Sequence, residues 1–301
     1  MAGGAKGGLT VIARQPSPVD EHGATGETAR IYHDIRQTLR VSGVNLNFRT
    51  WAGFDRFFPR MWKAMRGVAG SGAFESAADD IRSEAMRLAS ALPSLGGAGK
   101  NDLGEGQQAQ IKAALELYHY INPKLLVFTS IVSQALEQRS ASAIVLNETR
   151  LPRGVPPGMF PMEMVDERPS DPQIRKLFQD IKQTMNVTAV NSDYRTLAMW
   201  PDYLDGAWRA LKPMVKSPAY QNAATTLGAT ATSRARELVR HVALDRNQVA
   251  RSGEDVTAVV QTTAQFERLL PPLILNIATI SLDWWPADEL VRSPFSAGKG
   301  S

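Results

Sequence analysis

No cysteine occurs among the 301 residues, so disulfides, thiolate metal sites, redox dithiols and cysteine nucleophiles are excluded on chemical grounds. An excess of either charge is nearly absent as well. The 34 Lys and Arg exceed the 30 Asp and Glu by only +4, spread along the chain, which favours solubility and leaves no nucleic-acid footprint. Long uncharged apolar runs are lacking; the nearest, residues 269–282, is shorter than the roughly 20 residues of a membrane span and contains two prolines. The Gly- and Ala-rich start has no apolar run of the kind a signal peptide needs. A cytoplasmic protein is therefore expected, with no membrane and no nucleic-acid partner. Neither a Gly-rich phosphate loop after a strand nor a Gly-x-Ser-x-Gly elbow is found, so no nucleotide cofactor and no serine hydrolase is indicated.

What is present is helical spacing. Ile174, Leu177, Phe178, Ile181 and Met185 recur at three and four residues, behind Asp171 as an N-cap and Pro172 at the first helical position. Residues 107–120 and 219–240 hold good helix formers, and Ser252 with Asp255 starts a further helix. Alternating strand patterns of useful length do not occur.

The chain also resembles itself. At a shift of 146 (193 minus 47), Asp34-Ile35-Arg36-Gln37-Thr38-Leu39 faces Asp180-Ile181-Lys182-Gln183-Thr184-Met185, and Trp62-Lys63-Ala64-Met65 faces Trp208-Arg209-Ala210-Leu211. Phe74 falls opposite Tyr220, and at a slightly larger shift Pro123 and Leu125-Leu126 face Pro271 and Leu273-Ile274. Such a match is a duplication. The expectation is an all-α fold of two tandem helical-bundle repeats packed as an intramolecular pseudo-dimer. Its parts are a flexible N-terminal tail (1–19), repeat 1 (20–150), a Pro/Gly-rich linker (151–165), repeat 2 (166–286) and a C-terminal tail (287–301).

In a duplicated protein, shared positions mostly hold the fold, so chemistry is sought where the halves disagree. Asn45-Leu46-Asn47-Phe48-Arg49-Thr50 faces Asn191-Ser192-Asp193-Tyr194-Arg195-Thr196. Asn47 and Asp193 have nearly the same shape, but only Asp193 can accept a proton from water. The plainer alternative makes Ser192 a helix N-cap and Asp193 a first-turn acid favoured by the helix dipole. The apolar neighbours Val187, Val190, Leu197 and Trp200 favour a buried carboxylate of raised pKa.

Glu116 and His119 have the spacing of half a di-iron site, but no other histidine has a Glu three residues before it, so no metal site is expected and His119 is read as a surface or packing residue. Arg49 and Arg195, matched across the halves, could hold an anion. Because both halves keep them, they are read as ties between helix ends at the repeat interface. Trp62 and Trp208 are read as core.

The string Asn191-Ser192-Asp193-Tyr194-Arg195, with Trp200-Pro201-Asp202-Tyr203-Leu204 behind it, resembles the segment carrying the catalytic aspartate of group I 2-haloacid dehalogenases. Tyr118-His119-Tyr120-Ile121-Asn122-Pro123 is similar to that family's active-site asparagine segment. The resemblance implies cofactor-free hydrolysis of short 2-haloalkanoic acids, of both enantiomers, to 2-hydroxy acids with inversion. Asp193 would be the general base and Asn122 would hold the attacking water, with no ester on the enzyme. Ser192 and nearby backbone N–H groups would hold the substrate carboxylate, and Phe48, Trp51, Tyr118 and Tyr194 would line an apolar pocket. Substrate and water are the only small-molecule partners expected, and the sequence leaves homodimerisation open. The competing class is a non-catalytic relative that binds small organic acids or serves as a helical interaction scaffold.

Overall fold

A computed structural model describes residues 16–100, 102–161 and 163–295. Among these residues the regular structure is helical: α1 (Gly26–Leu39), α2 (Leu46–Trp51), α3 (Phe57–Ala69), α4 (Gly72–Ser90), α5 (Glu105–Glu137), α6 (Pro172–Met185), α7 (Ser192–Leu197), α8 (Pro201–Val215), α9 (Pro218–Leu238), α10 (Arg246–Arg251) and α11 (Val256–Ser281). No β-sheet forms among them.

Local chemistry sets several helix starts. Asp171 accepts from the N–H groups of Gln173 and Ile174, so the expected cap forms, whereas the helix expected to open at Ser252 is capped by Asp255, which accepts from Ala258 N–H, and Ser252 ends α10 instead. Pro172 takes the first position of α6, where its missing N–H costs nothing. Ile174, Leu177, Phe178 and Ile181 are buried along one stripe.

Corresponding helices start at the shift seen in the sequence: Gly26 and Pro172, Leu46 and Ser192, Gly72 and Pro218. Their details match too. Arg40 and Asn186 both end their helices in the left-handed region, at φ 62° and 53°. Ser71 and Ser217 cap α4 and α9 through the N–H groups of Phe74 and Tyr220. The indoles of Trp62 and Trp208 donate to Asp34 and Asp180, each at 2.8 Å. Both tryptophans are core residues, as expected.

The long helices α5 and α11 pack on each other at the centre, with α4 and α9 against both. The short helices cross over: α7 of the second half packs on α5 of the first, and α2 packs on α11. Both long helices run through prolines, Pro123 in α5 and Pro271-Pro272 in α11. The sequence reading stopped the first of these at residue 120; tertiary contacts carry it to Glu137.

Further expectations change. Arg49 and Arg195 do not tie the halves together. Arg49 Nε donates to Val19 O while Val19 N–H donates to Arg49 O, and Arg195 does the same with Val165. Each arginine therefore clasps the segment leading into its own half, because that segment's backbone needs partners. The C-terminal tail is packed from 287 to 295: a 3-10 turn spans Ala287–Leu290, Leu290 and Phe295 are buried, and Ser293 N–H donates to Asp79. Apolar Leu290 and Phe295 gain more from the core than from solvent. Of the N-terminal tail, residues 1–15 lie outside the described residues, as do 296–301 at the other end. The connection is irregular over residues 138–161 and 163–171, wider than the expected linker, and is pinned by Leu151 N–H on Gly70 O and Gly154 N–H on Gln37 O.

Candidate active site

Asp193 lies in the first turn of α7, whose N-cap is Asn191 and not Ser192. The carboxylate is 1% exposed. It faces α5, where Asn122 Nδ2 donates to Asp193 Oδ1 at 2.6 Å. One turn away on both helices, Tyr118 Oη and Thr196 Oγ1 share a hydrogen bond of 2.7 Å. Spacings of four residues on α5 and three on α7 place these pairs as two rungs between the helices. Thr196 was not singled out from sequence, since both halves carry Thr at this position and the difference lies in its partner.

Burial dominates the electrostatics. It raises the Asp193 pKa to about 7, against the Asn122 hydrogen bond and its own backbone N–H, which lower it. Tyr118 is pushed well above its ordinary value, first by burial and then by the Asp193 charge, with hydrogen bonds to Thr196 and Ser192 opposing. It stays a neutral phenol. His119 is buried with Nε2 on Leu290 O at 2.7 Å, and burial lowers its pKa to about 4. It is a neutral packing residue, and among the described residues no cluster of potential metal ligands occurs. A base poised near neutrality, with an amide beside it and phenol and hydroxyl groups one turn on, can take a proton from water.

The other expected residues separate into two groups. Tyr194 is buried on α7, with its hydroxyl accepting from Asn276 Nδ2 at 2.7 Å. Phe48 and Trp51 belong to an aromatic cluster: Phe48 meets Phe128 with centroids 5.0 Å apart, and Trp51 stands beside Phe266 and donates to Thr263. No hydrogen bond or ring contact among the described residues joins either to Asp193. Asn47, opposite Asp193 in the repeat, is 3% exposed, and its side-chain nitrogen has no partner among the described residues. Two surface grooves of about 480 and 610 Å³ lie between α1 and α3, lined by Ile31, Asp34, Trp62 and Arg66. Neither includes Asp193 or Asn122.

Residues 42–194 match the family model for the halocarboxylic acid dehydrogenase DehI. An (R)-2-haloacid dehalogenase of Pseudomonas putida is 30% identical over 279 residues, covering 86% of this chain and 90% of that one. A configuration-inverting 2-haloacid dehalogenase of Pseudomonas sp. (strain 113) is 34% identical over 233 residues, covering 74% and 72%. Among solved structures, a D-2-haloacid dehalogenase mutant in complex with D-2-CPA superimposes with a TM-score of 0.82 at 28% identity, covering 90% of this chain and 96% of that one. The same kind of enzyme with L-LA gives 0.81 over 89% and 96%. The chain belongs to this DehI family of helical 2-haloacid dehalogenases.

Proposed function

We propose that this protein hydrolyses short 2-haloalkanoic acids to 2-hydroxyalkanoic acids with inversion, Asp193 serving as general base. The observation that carries this reading is the buried Asn122–Asp193 hydrogen bond, a carboxylate poised near pH 7 beside an amide. Because the ionised carboxylate accepts only, the amide N–H₂ faces it, and the Asn122 carbonyl oxygen remains as acceptor. A water beside this pair donates one hydrogen to the Asp193 carboxylate and the other to the Asn122 carbonyl oxygen, which turns an oxygen lone pair toward C2. The C2–O bond forms as the C2–halogen bond breaks from the opposite side. Halide leaves with the bonding pair, and the proton stays on Asp193 until solvent removes it.

Ser192 and Tyr118 hydroxyls suit the substrate carboxylate, and Tyr118 and Tyr194 supply apolar surface for the alkyl group. Phe48 and Trp51 remain in their aromatic cluster. Matching helix starts, serine caps and Trp–Asp hydrogen bonds on either side of the α5–α11 contact support an intramolecular pseudo-dimer, with halves at 20–150 and 166–286. Both enantiomers are substrates in this reading, because attack and departure lie on one line while the halogen and alkyl group exchange places.

Halide release from each separate enantiomer of 2-chloropropionate tests it. Release from both is expected; release from the R form alone narrows the substrate range, as the names of two relatives suggest. No release from either, with lactate still binding, turns the reading to a non-catalytic organic-acid binder. Single turnover in labelled water should place the label in the hydroxy acid, and label in the Asp193 carboxylate contradicts direct water attack.

A further inference from the structure

On α7, Asp193 is followed directly by a residue held in a second buried polar chain. The Tyr220 hydroxyl, on α9, donates to Asn276 Oδ1 on α11 at 2.6 Å, shared with Pro272 O at 2.9 Å. Asn276 Nδ2 in turn donates to the Tyr194 hydroxyl at 2.7 Å, with the Met185 sulfur at 3.6 Å. Tyr220 and Asn276 are 0% exposed and Tyr194 is 1% exposed.

The first half fills the corresponding positions without a hydrogen bond. Tyr194 matches Phe48, Tyr220 matches Phe74, and Asn276 matches Phe128 at the shift that sets Pro271 against Pro123. All three phenylalanines are 0% exposed. The fold can evidently pack these places with rings alone. Burying polar groups where rings suffice brings desolvation that packing does not require. The polar set stands only in the half whose short helix carries a carboxylate in place of Asn47.

A helix of six residues, such as α7, cannot hold its own orientation. Asn122 fixes it from α5 and Asn276 fixes it from α11. We propose that Tyr220, Asn276 and Tyr194 form a positioning relay that sets the roll of α7 between α5 and α11 and so keeps Asp193 within reach of Asn122. These are positioning residues that act through Asp193, and the inference rests on reading Asp193 as the general base.

Tyr194→Phe and Tyr220→Phe each remove one oxygen and install the ring that the other half already uses. Misplacing a reacting group by a fraction of an ångström lowers kcat by about 10- to 100-fold, which is the expected loss for Tyr194→Phe, with KM nearly unchanged. Tyr220→Phe should lose less, and the double variant should be no worse than Tyr194→Phe alone, since both break one chain. Loosening the Asn122 hydrogen bond removes what opposes burial, so the acid limb of the pH–rate profile should move to higher pH in Tyr194→Phe. A kcat within about twofold of wild type, losses that multiply, or an unmoved acid limb overturns the relay.

Infrared titration of the Asp193 carboxyl, identified by its absence in Asp193→Asn, needs no turnover. If the unsubstituted protein releases no halide, the dehalogenase reading fails by itself. The relay is then decided by this titration: a higher pKa in Tyr194→Phe supports it, and identical values overturn it.

Discussion

Arg82 occupies the place that Pro123 leaves open. Proline has no N–H to offer the carbonyl one turn back, and Arg82 Nε donates to that carbonyl, His119 O, at 3.3 Å, while Nη2 donates to Tyr120 O at 2.7 Å. The guanidinium is fully buried and pairs with Glu75 at 3.1 Å and with Asp79. Glu75 also holds the buried Lys124 at 2.6 Å, whose pKa burial lowers to about 8. The cluster fastens α4 to the turn of α5 that carries Asn122 and Pro123.

Replacing Arg82 with Met takes the guanidinium from Asp79 and from the His119 and Tyr120 carbonyls, and leaves Glu75 with Lys124 alone. A loss of about 3–5 kcal/mol in unfolding free energy is expected, as for a broken buried ion pair. Urea denaturation at pH 7 measures it, and Arg82→Lys should recover little, because one ammonium cannot reach both carbonyls and both acids.

Activity should rise with pH through about 7, where Asp193 ionises. Asp193→Asn is expected to lower kcat by about 10²–10⁴-fold. Asn122→Leu, which copies Leu270 at the matching place of α11, should lose activity and shift the acid limb upward, since it removes the bond that favours the charged form. Initial rates of halide release from pH 5 to 9 give all three.

Stability should carry the opposite pH dependence. The folded pKa of Asp193 stands above its ordinary 3.8, at about 7, so the neutral form is the one the fold prefers. Its contribution is fully present below the unfolded pKa and is lost as pH rises through about 7. The size of this term is on the order of 4 kcal/mol. Asp193→Asn should therefore gain stability over wild type progressively between about pH 4 and 7 and level off above. Urea midpoints across that range test it; a constant difference between the two proteins contradicts it.

Gly99 and Gly206 let the loop before α5 touch α8 of the other half. A Cβ on Gly206 meets Gly99 Cα and N at 2.8 Å, and Gly99 itself has φ +82°. Gly206→Ala must push this loop away, at a cost of about 1–3 kcal/mol. A thermal midpoint equal to that of wild type counts against the contact.

The site was partly legible before any coordinates. Asp193 stands out because the matching position holds Asn47, a difference in ionisable chemistry visible in one dimension, whereas Asn122 is reached only through the likeness of residues 118–123 to the family's asparagine segment. The Tyr194, Tyr220 and Asn276 set carried the same signal, three polar groups facing three phenylalanines. It was missed because nothing in the spacing says that residues 194, 220 and 276 converge. Phe48 and Trp51 enter the pocket reading only through the family resemblance; where they lie is set by packing, with α2 on α11 and Trp51 beside Phe266 and Thr263.

The sequence alone determined the helical character, the Asp171 cap and the unequal chemistry of its two halves, because side-chain period and capping act over a few residues. Only the tertiary structure decided that α7 meets α5 across the halves, that prolines sit inside the long helices, and that residues 287–295 are packed. Those outcomes depend on which distant faces bury one another, and burial is a property of the assembled solid.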